Sequence, residues 1–224
     1  MKILFALEMV GTVNALEGAF RLLREKGAEL RFAAHGVALT ALSKKGVSCA
    51  TIADAADAVI AEWNPDFVVV GLASGAAFSG FELGYGRAAM DRGIPVVAYR
   101  DYLGVAEWTR QLASHPRSRE LLRFFLFDAA TEQTVSHTLP GREARVVGSG
   151  YYDEDATRDW GQVRRDARRA AGITDGEFVV FLNNSADRVR VLEVMEPVVE
   201  GLLAVERGIT FVPSFHPKDP DAPF

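Results

Sequence analysis

The sequence of 224 residues contains a single cysteine, Cys49, and therefore cannot form an internal disulfide bond. A lone free thiol is typical of a reducing cytoplasm. Lys and Arg total 25 against 30 Asp and Glu, and this net charge of -5 argues against a nucleic-acid partner, whose phosphates require a basic surface. The densest basic segment, RRDARRAAG at 164–172, is interrupted by Asp166 and is typical of a solvated helix face.

Long apolar runs are also missing. No uninterrupted apolar stretch approaches the roughly 18 residues that a membrane-spanning helix needs. The first residues, MKILFALEMVG, are too short and too quickly acidic for a signal peptide, and they predict a first strand instead. We therefore expect a cytoplasmic protein without a transmembrane segment, with peripheral attachment to the inner face of the membrane as the alternative.

Two nucleotide-binding fingerprints are absent as well. The sequence contains neither G-x-G-x-x-G after its first strand nor G-x-x-x-x-G-K-[ST] anywhere, which argues against nicotinamide binding and P-loop ATP hydrolysis. It also lacks a tight group of His, Cys and Asp with the spacing of metal ligands. We expect no cofactor and no metal ion.

Short apolar runs alternate with helix-period segments over residues 1–150. This alternation predicts a doubly wound α/β fold, in which helices connect the strands of a parallel sheet of about six or seven strands. The predicted strands lie at 2–7, 30–34, 47–51, 67–72 and 95–99, with two more in LLRFFLFDAA and ARVVGSG. The predicted helices lie at 14–26, 37–45, 53–63 and 81–92.

A second unit is predicted over residues 151–224, after Gly148-Ser149-Gly150. An acidic, aromatic linker, YYDEDATRDW, precedes a helix at 158–171, the strand FVVFLNN, a helix at 189–206 and the strand ITFVPSF. Two parallel strands bury too little apolar surface to stand alone. We therefore expect a Rossmann-like domain of which this chain holds only the start, and self-association through its exposed edge.

The loop after the first strand, EMVGTVNA, is a candidate anion site. Gly11 permits a tight turn, and a helix beginning near Asn14 directs free backbone N–H groups into the cleft. A plain strand-to-helix turn explains the same residues, so substrate contact by Gly11 and Thr12 is one of two interpretations.

The loop GLASGAAFSGFE follows the strongest predicted strand. Ser74 and Gly75 lie in its small-residue segment, where a ligand approaches the backbone closely. Glu82 lies in the first turn of the next helix, where the helix dipole stabilises a carboxylate. Capping alone explains Glu82, and a catalytic role is the alternative.

The third loop, AYRDYLGVAEW, supplies the best general-base candidate, Asp101, just past the end of a strand. Arg100 is placed to pair with Asp101 or with a phosphate. An Asp that caps the following helix is the competing interpretation. His35, at the end of the second strand, is also expected to reach the cleft.

The order of several segments resembles a known superfamily. PDFVVVGLASG, FELGYGRAAMDRGIPVVAYRDY, the segment from FFLFDAATEQ to GSGYYDE, FVVFLNNSADR and FVPSFHPKD follow one another as in the glycosyltransferase-B proteins. The likeness is strongest to the bacterial branch that contains UDP-N-acetylglucosamine 2-epimerases and the CDP-glycerol transferases of teichoic-acid synthesis. It covers nearly the whole chain, although most of its motifs are strand ends of low specificity.

The resemblance implies two Rossmann-like domains, with the nucleotide diphosphate bound mainly by the C-terminal one and the acceptor mainly by the N-terminal one. It implies that a loop of the C-terminal domain presents amides to phosphate, and that a His-Pro motif follows the last strand. The residues at these places are Asn183, Asn184, Ser185, His216, Lys218 and Asp219. His216 is then a catalytic candidate and Lys218 a phosphate ligand. A turn residue before Pro217 is the alternative for His216.

The function implied by the resemblance is transfer of a sugar or related group from a UDP-, CDP- or GDP-linked donor to a saccharide or lipid-linked acceptor, in cell-surface polysaccharide synthesis. A 2-epimerase acting on UDP-N-acetylglucosamine is the second hypothesis. A non-catalytic module that binds a nucleotide sugar or a partner subunit is the third. The sequence departs from the family in one respect, since the later strands of the donor domain and the acidic residue that grips the ribose do not follow Phe224.

Overall fold

The computed structural model describes residues 1–50, 55–71, 79–100, 107–150, 156–174, 176–183, 196–202, 204 and 208–214. The chain divides into two compact units, Met1–Thr157 and Arg158–Phe224. The domain limits expected from the sequence, 1–150 and 151–224, remain a prediction. Among the described residues, no helix is both long and apolar enough to cross a membrane.

The first unit is built around a six-stranded sheet in which every pairing is parallel. This confirms the predicted doubly wound α/β fold, which fits the alternation of apolar runs and helices in the sequence. Its strands are β1 (Lys2–Leu7), β2 (Glu29–Ala34), β3 (Phe67–Val70), β4 (Val96–Arg100), β5 (Leu122–Leu126) and β6 (Ala144–Val146). Its helices are α1 (Val10–Glu25), α2 (Gly36–Lys44), α3 (Ala56–Trp63), α4 (Ser79–Asp91), α5 (Glu107–Ala113), α6 (Ser118–Leu121) and α7 (Ala129–Thr138).

The sheet is buried on both faces, which explains why its first strand is a continuous apolar run. Successive side chains of a strand point to opposite faces. In β1, Leu4 and Ala6 pack into a core with the residues of α3 and α4, whereas Ile3, Phe5 and Leu7 pack against α1 and α2. On the latter side, the rings of Phe5, Phe20 and Phe32 lie 4.8 to 5.4 Å apart between centroids.

The strand order is β2-β1-β3-β4-β5-β6, so the chain reverses its direction across the sheet between β1 and β3. In open α/β sheets, ligands bind beyond the carboxyl ends of the strands at such a switch point. We therefore expect a ligand site near the residues that immediately follow β1 and β3.

Two predicted elements of the first unit are corrected. The strand expected at 47–51 is a single bridge, in which Ala50 accepts from Ala34 N–H and donates to the Phe32 carbonyl, and residue 51 lies outside the described residues. The left-handed Gly46, with φ 71°, ends the turn after α2, and only one residue then aligns with β2. Helix α1 begins at Val10 rather than near Asn14, because Val13 is already fully buried in the core.

The second unit contains α8 (Trp160–Ala170), β7 (Phe178–Asn183) and β8 (Ile209–Ser214). The two strands pair in parallel from Phe178 beside Ile209 to Asn183 beside Ser214. Helical backbone is also described at 196–202, whereas the remainder of the helix expected at 189–206 lies largely outside the described residues. Self-association through this region remains a prediction.

Candidate functional site

Four chain segments bring polar residues to the carboxyl edge of the sheet around the switch point. Glu8 follows β1 directly, His35 follows β2, and Arg100 is the last residue of β4. Glu82 reaches the same place from the first turn of α4. Glu8, Glu82 and Arg100 are 1%, 1% and 0% exposed, so this edge holds three ionisable side chains away from solvent.

Glu8 and His35 are in direct contact. Nδ1 of His35 lies 3.2 Å from Oε1 of Glu8. The contact follows from the register of the two strands. Leu7 of β1 pairs with Ala34 of β2, and Glu8 and His35 are the residues that come directly after this pair. His35 extends this ladder by donating its backbone N–H to the Leu7 carbonyl at 3.1 Å.

The His35 ring also lies beside an aromatic residue. It lies 5.9 Å from the ring of Phe81 between centroids, and Phe81 belongs to α4. Immediately after His35, Gly36 adopts a φ of 57°, a left-handed conformation that a side chain disfavours, and the chain turns at once into α2. The ring is therefore fixed at the edge of the sheet, and 37% of its side chain is exposed.

The Glu8 carboxyl is buried, and its hydrogen bonds do not fully replace the lost contact with water. Burial raises its pKa from 4.5 to about 7, against a backbone hydrogen bond from Glu82 that lowers it. Its Oε2 atom is buried and has no hydrogen-bond partner among the described residues. A carboxyl held in this way is costly, and such groups concentrate at functional sites.

Glu82 and Gly71 fix the backbone around this carboxyl. The backbone N–H of Glu8 donates to Oε1 of Glu82 at 3.0 Å. A Cβ atom at Gly71 would lie 2.7 Å from the same Oε1 and 2.9 Å from Cγ2 of Thr12. Glu82 thus forms a hydrogen bond with the segment after β1, a contact that differs from both roles expected from the sequence, helix capping and catalysis. Its catalytic role remains a prediction.

The structure changes the interpretation of the loop after β1. The expected tight turn at Gly11 is absent, since Gly11 and Thr12 both lie in the first turn of α1. Thr12 is fully buried against the site, while Gly11 is exposed. Only Glu8 and Met9 connect β1 to α1, because the helix must begin early to bury Val13.

Several of the predicted site residues lie outside the described residues. Asn183 is the last residue of β7 and pairs with Ser214 at the carboxyl end of β8, and its expected contact with phosphate remains a prediction. Since β7 and β8 are parallel, the segments that follow both strands leave from one edge. The predicted site residues that lie outside the described part of the chain are Ser74, Gly75, Asp101, Asn184, Ser185, His216, Lys218 and Asp219.

The sequence analysis missed Glu8. The signal that selects Asp101, a carboxylate just past a buried strand, applies equally to Glu8 after KILFAL. In the same loop, the sequence analysis selected Gly11 and the backbone N–H groups as the anion site instead. Over the described ranges, no three His, Cys, Asp or Glu side chains are grouped as metal ligands.

The fold is similar to that of solved nucleotide-sugar enzymes. A putative UDP-N-acetylglucosamine 2-epimerase from Listeria monocytogenes matches with a TM-score of 0.63 and 13% identity, covering 98% of this chain and 63% of that one. S. aureus MnaA, solved with UDP, matches with a TM-score of 0.60 and 12% identity, covering 97% and 63%. The glycosyltransferase SsfS6 of Streptomyces sp. SF2575, complexed with thymidine diphosphate, matches with a TM-score of 0.53 and 16% identity, covering 97% and 68%.

This chain spans less than two thirds of the length of the Listeria and S. aureus proteins. Comparison with protein-family models and with curated protein sequences gives no match. The identities are low, and the likeness therefore rests on the arrangement of strands and helices. Over the part that it spans, the chain has the glycosyltransferase-B fold that its sequence resemblance predicted.

Proposed function

We propose that this protein is an enzyme of the glycosyltransferase type, which transfers a sugar or related group from a nucleoside-diphosphate donor in cell-surface polysaccharide synthesis. The main support is the fold shared with proteins solved with UDP and thymidine diphosphate. The polar cluster at the switch point adds a group suited to proton transfer, because a carboxyl with a pKa of about 7 exists in both protonation states near neutral pH.

The two units have different tasks in this proposal. The first unit would bind the acceptor at the carboxyl edge around Glu8 and His35. The second would bind the donor diphosphate through the segments that follow β7 and β8, with Asn184, Ser185, His216 and Lys218 as the residues implied by the resemblance. Asp101 remains the general-base candidate that the sequence predicts.

A 2-epimerase is the alternative enzyme, and the likeness to the Listeria protein favours it. The two enzymes differ in a direct experiment. An epimerase converts UDP-N-acetylglucosamine to its C2 epimer without an acceptor and without releasing UDP, whereas a transferase releases the nucleotide. Proton NMR of the reaction mixture distinguishes the epimer from free UDP. A non-catalytic module would bind the nucleotide and give neither product.

Nucleotide binding is the first test. Calorimetry of the full-length protein with UDP, CDP and GDP is expected to show binding of at least one of them. Lys218→Ala is expected to weaken that binding by about 10- to 100-fold, because a charge-assisted hydrogen bond to phosphate contributes about 1.5 to 3 kcal/mol. Lys26→Ala, which removes an exposed lysine of the first unit, is the matched control and should bind as the wild type does. Absence of binding to all three nucleotides would refute the proposed function.

A further inference from the structure

The Glu8–His35 pair has the geometry of a group that accepts a proton from a substrate. Nδ1 of His35 faces the buried Glu8 carboxyl, and 37% of the His35 side chain is exposed at the ligand edge of the sheet. Among the described residues, none forms a hydrogen bond with its second ring nitrogen, Nε2. We propose that His35 is the catalytic base for the attacking hydroxyl group and that Glu8 is the residue that positions it.

This inference rests on the proposed transferase function and assigns a role that neither the resemblance nor the solved structures give to these two residues. The bonds balance as follows. The hydroxyl oxygen forms a bond to the anomeric carbon and passes its proton to Nε2 of His35. The bond from that carbon to the donor phosphate breaks, and its electron pair leaves with the nucleoside diphosphate. The imidazolium then releases the proton to water.

Glu8 supports this step in two ways. Its Oε1 accepts from Nδ1–H, which leaves the lone pair on Nε2, and its negative charge stabilises the imidazolium once the proton has arrived. Among the described residues around this pair, the other charged groups are Glu82, which is bonded to the Glu8 backbone, and Arg100, buried two strands away at the end of β4.

The surroundings argue against a purely structural pair. A pair that serves only stability gains nothing from leaving Oε2 of Glu8 buried without a hydrogen-bond partner among the described residues. In addition, the backbone N–H of His35 is held by the Leu7 carbonyl and the His35 ring lies beside Phe81, which lowers the reorganisation needed for proton transfer. Such preorganisation is expected of a reactive group.

His115 offers a matched control within the same protein. Its Nε2 lies 3.0 Å from Oδ1 of Asp91, the last residue of α4, and its Nδ1 accepts the backbone N–H of Arg117. It is therefore also a histidine paired with a carboxylate. Both of its ring nitrogens are engaged, however, and α4 ends where the chain returns to the amino end of β4, away from the ligand edge.

The test uses the full-length protein, with calorimetry for nucleoside-diphosphate binding and release of the diphosphate from UDP-, CDP- and GDP-glucose for turnover, with water as the acceptor. We expect His35→Gln to lower kcat by about 100- to 10,000-fold, the range of general-base catalysis, with the Kd of the nucleotide unchanged. His115→Gln should keep wild-type kcat. Thermal melts confirm that both variants are folded.

Glu8→Gln gives the second readout. Wild-type kcat should rise with pH as the pair loses its proton. Without the carboxylate, the imidazolium is less stable, so the midpoint of this rise should move to lower pH while kcat falls to a level between those of the wild type and His35→Gln. A merely structural role would change stability without moving the midpoint.

The outcomes separate the two proposals. If the wild type binds no nucleotide, the proposed function fails and this inference falls with it. If the wild type binds nucleotide and His35→Gln turns over as fast as the wild type, or if nucleotide binding is lost together with turnover, only the assignment of His35 as the base is overturned. Nucleotide binding without any diphosphate release by the wild type overturns it too, since no nucleophile is then activated.

Discussion

The backbone N–H of Glu8 donates a 3.0 Å hydrogen bond to Oε1 of Glu82, which joins the end of β1 to the first turn of α4. Both side chains are buried, and Gly71 follows the neighbouring strand β3 directly beside them. The absence of a side chain at Gly71 is what allows the side chains of Glu82 and Thr12 to pack closely against its backbone. This contact explains why a glycine follows β3 directly.

Gly71→Ala is therefore expected to destabilise the first unit. The new Cβ would lie 2.7 Å from Oε1 of Glu82, and overpacking of this kind costs about 1 to 3 kcal/mol. Urea unfolding followed by circular dichroism measures the change. Gly84→Ala is the control within α4, where a new Cβ meets no atom within 4 Å, and it should stabilise the helix by roughly 0.5 to 1 kcal/mol. Equal stability of the two variants would contradict the close packing at Gly71.

The Glu8 carboxyl predicts how stability depends on pH. Its folded-state pKa of about 7 lies above the ordinary 4.5, so the folded protein binds the proton more tightly than the unfolded chain does. This contribution is full below pH 4.5 and is lost as the pH rises through 7. Glu8→Gln remains neutral and should gain on the order of 1 to 3 kcal/mol relative to the wild type between pH 5 and pH 8.

Urea unfolding at the two pH values checks this difference. Glu62→Gln, which changes a carboxylate whose side chain is 76% exposed, should show no such gain. A Glu8→Gln variant whose stability runs parallel to that of the wild type across this range would mean that the carboxyl is charged in the folded state.

The strands of the first unit could be predicted from the sequence because a strand buried on both faces is a continuous apolar run. A run such as KILFAL must fill two cores at once, and polar residues are excluded from it. Helix starts were less predictable. Val10–Val13 contains no strong capping signal, and Met9 caps α1 without a side-chain hydrogen bond, so the position of Val13 in the core decides the boundary.

The candidate site was less accessible to sequence analysis. Glu8 and His35 are 27 positions apart, and only the register that pairs Leu7 with Ala34 makes them neighbours. A register is a property of the assembled sheet and cannot be inferred from either strand alone. The burial of Glu8 likewise depends on α4, whose residues Phe81 and Glu82 cover the edge from more than 70 positions away in the sequence.

Asp128 shows the opposite case, a carboxylate that follows a strand and caps a helix. Its Oδ1 accepts the backbone N–H of Thr131 at 2.7 Å, at the start of α7. Asp128→Ala should cost about 1 kcal/mol of stability, the usual effect of removing an N-cap, and Asp128→Asn should largely preserve it. Chemical unfolding measures both variants, and calorimetry should give the wild-type nucleotide Kd for each. A loss of nucleotide binding would move Asp128 into the functional site.

Tyr99 anchors the segment that ends the first unit. Its hydroxyl group donates to the carbonyl of Gly148 at 3.0 Å, and the residue is 1% exposed. Gly148 has a φ of 76°, so the backbone turns sharply there, just before the buried Ser149. Tyr99→Phe removes the donor while keeping the ring in the core, and it should destabilise the first unit by roughly 0.5 to 1.5 kcal/mol.

The same variant should act locally as well as globally. Without the Tyr99 hydroxyl, the turn at Gly148 loses a hydrogen bond, so backbone amides at 147–150 should exchange with deuterium faster than in the wild type. The exchange rates of amides in β1 and β3 should change only with global stability. Hydrogen exchange followed by mass spectrometry resolves the two regions. Because Gly150 packs against the Ala15 carbonyl, with only 3.2 Å available for a Cβ, Gly150→Ala should accelerate exchange in the same segment and serves as an independent perturbation. Unchanged exchange at 147–150 in Tyr99→Phe would show that the packing of Gly150 alone holds the turn.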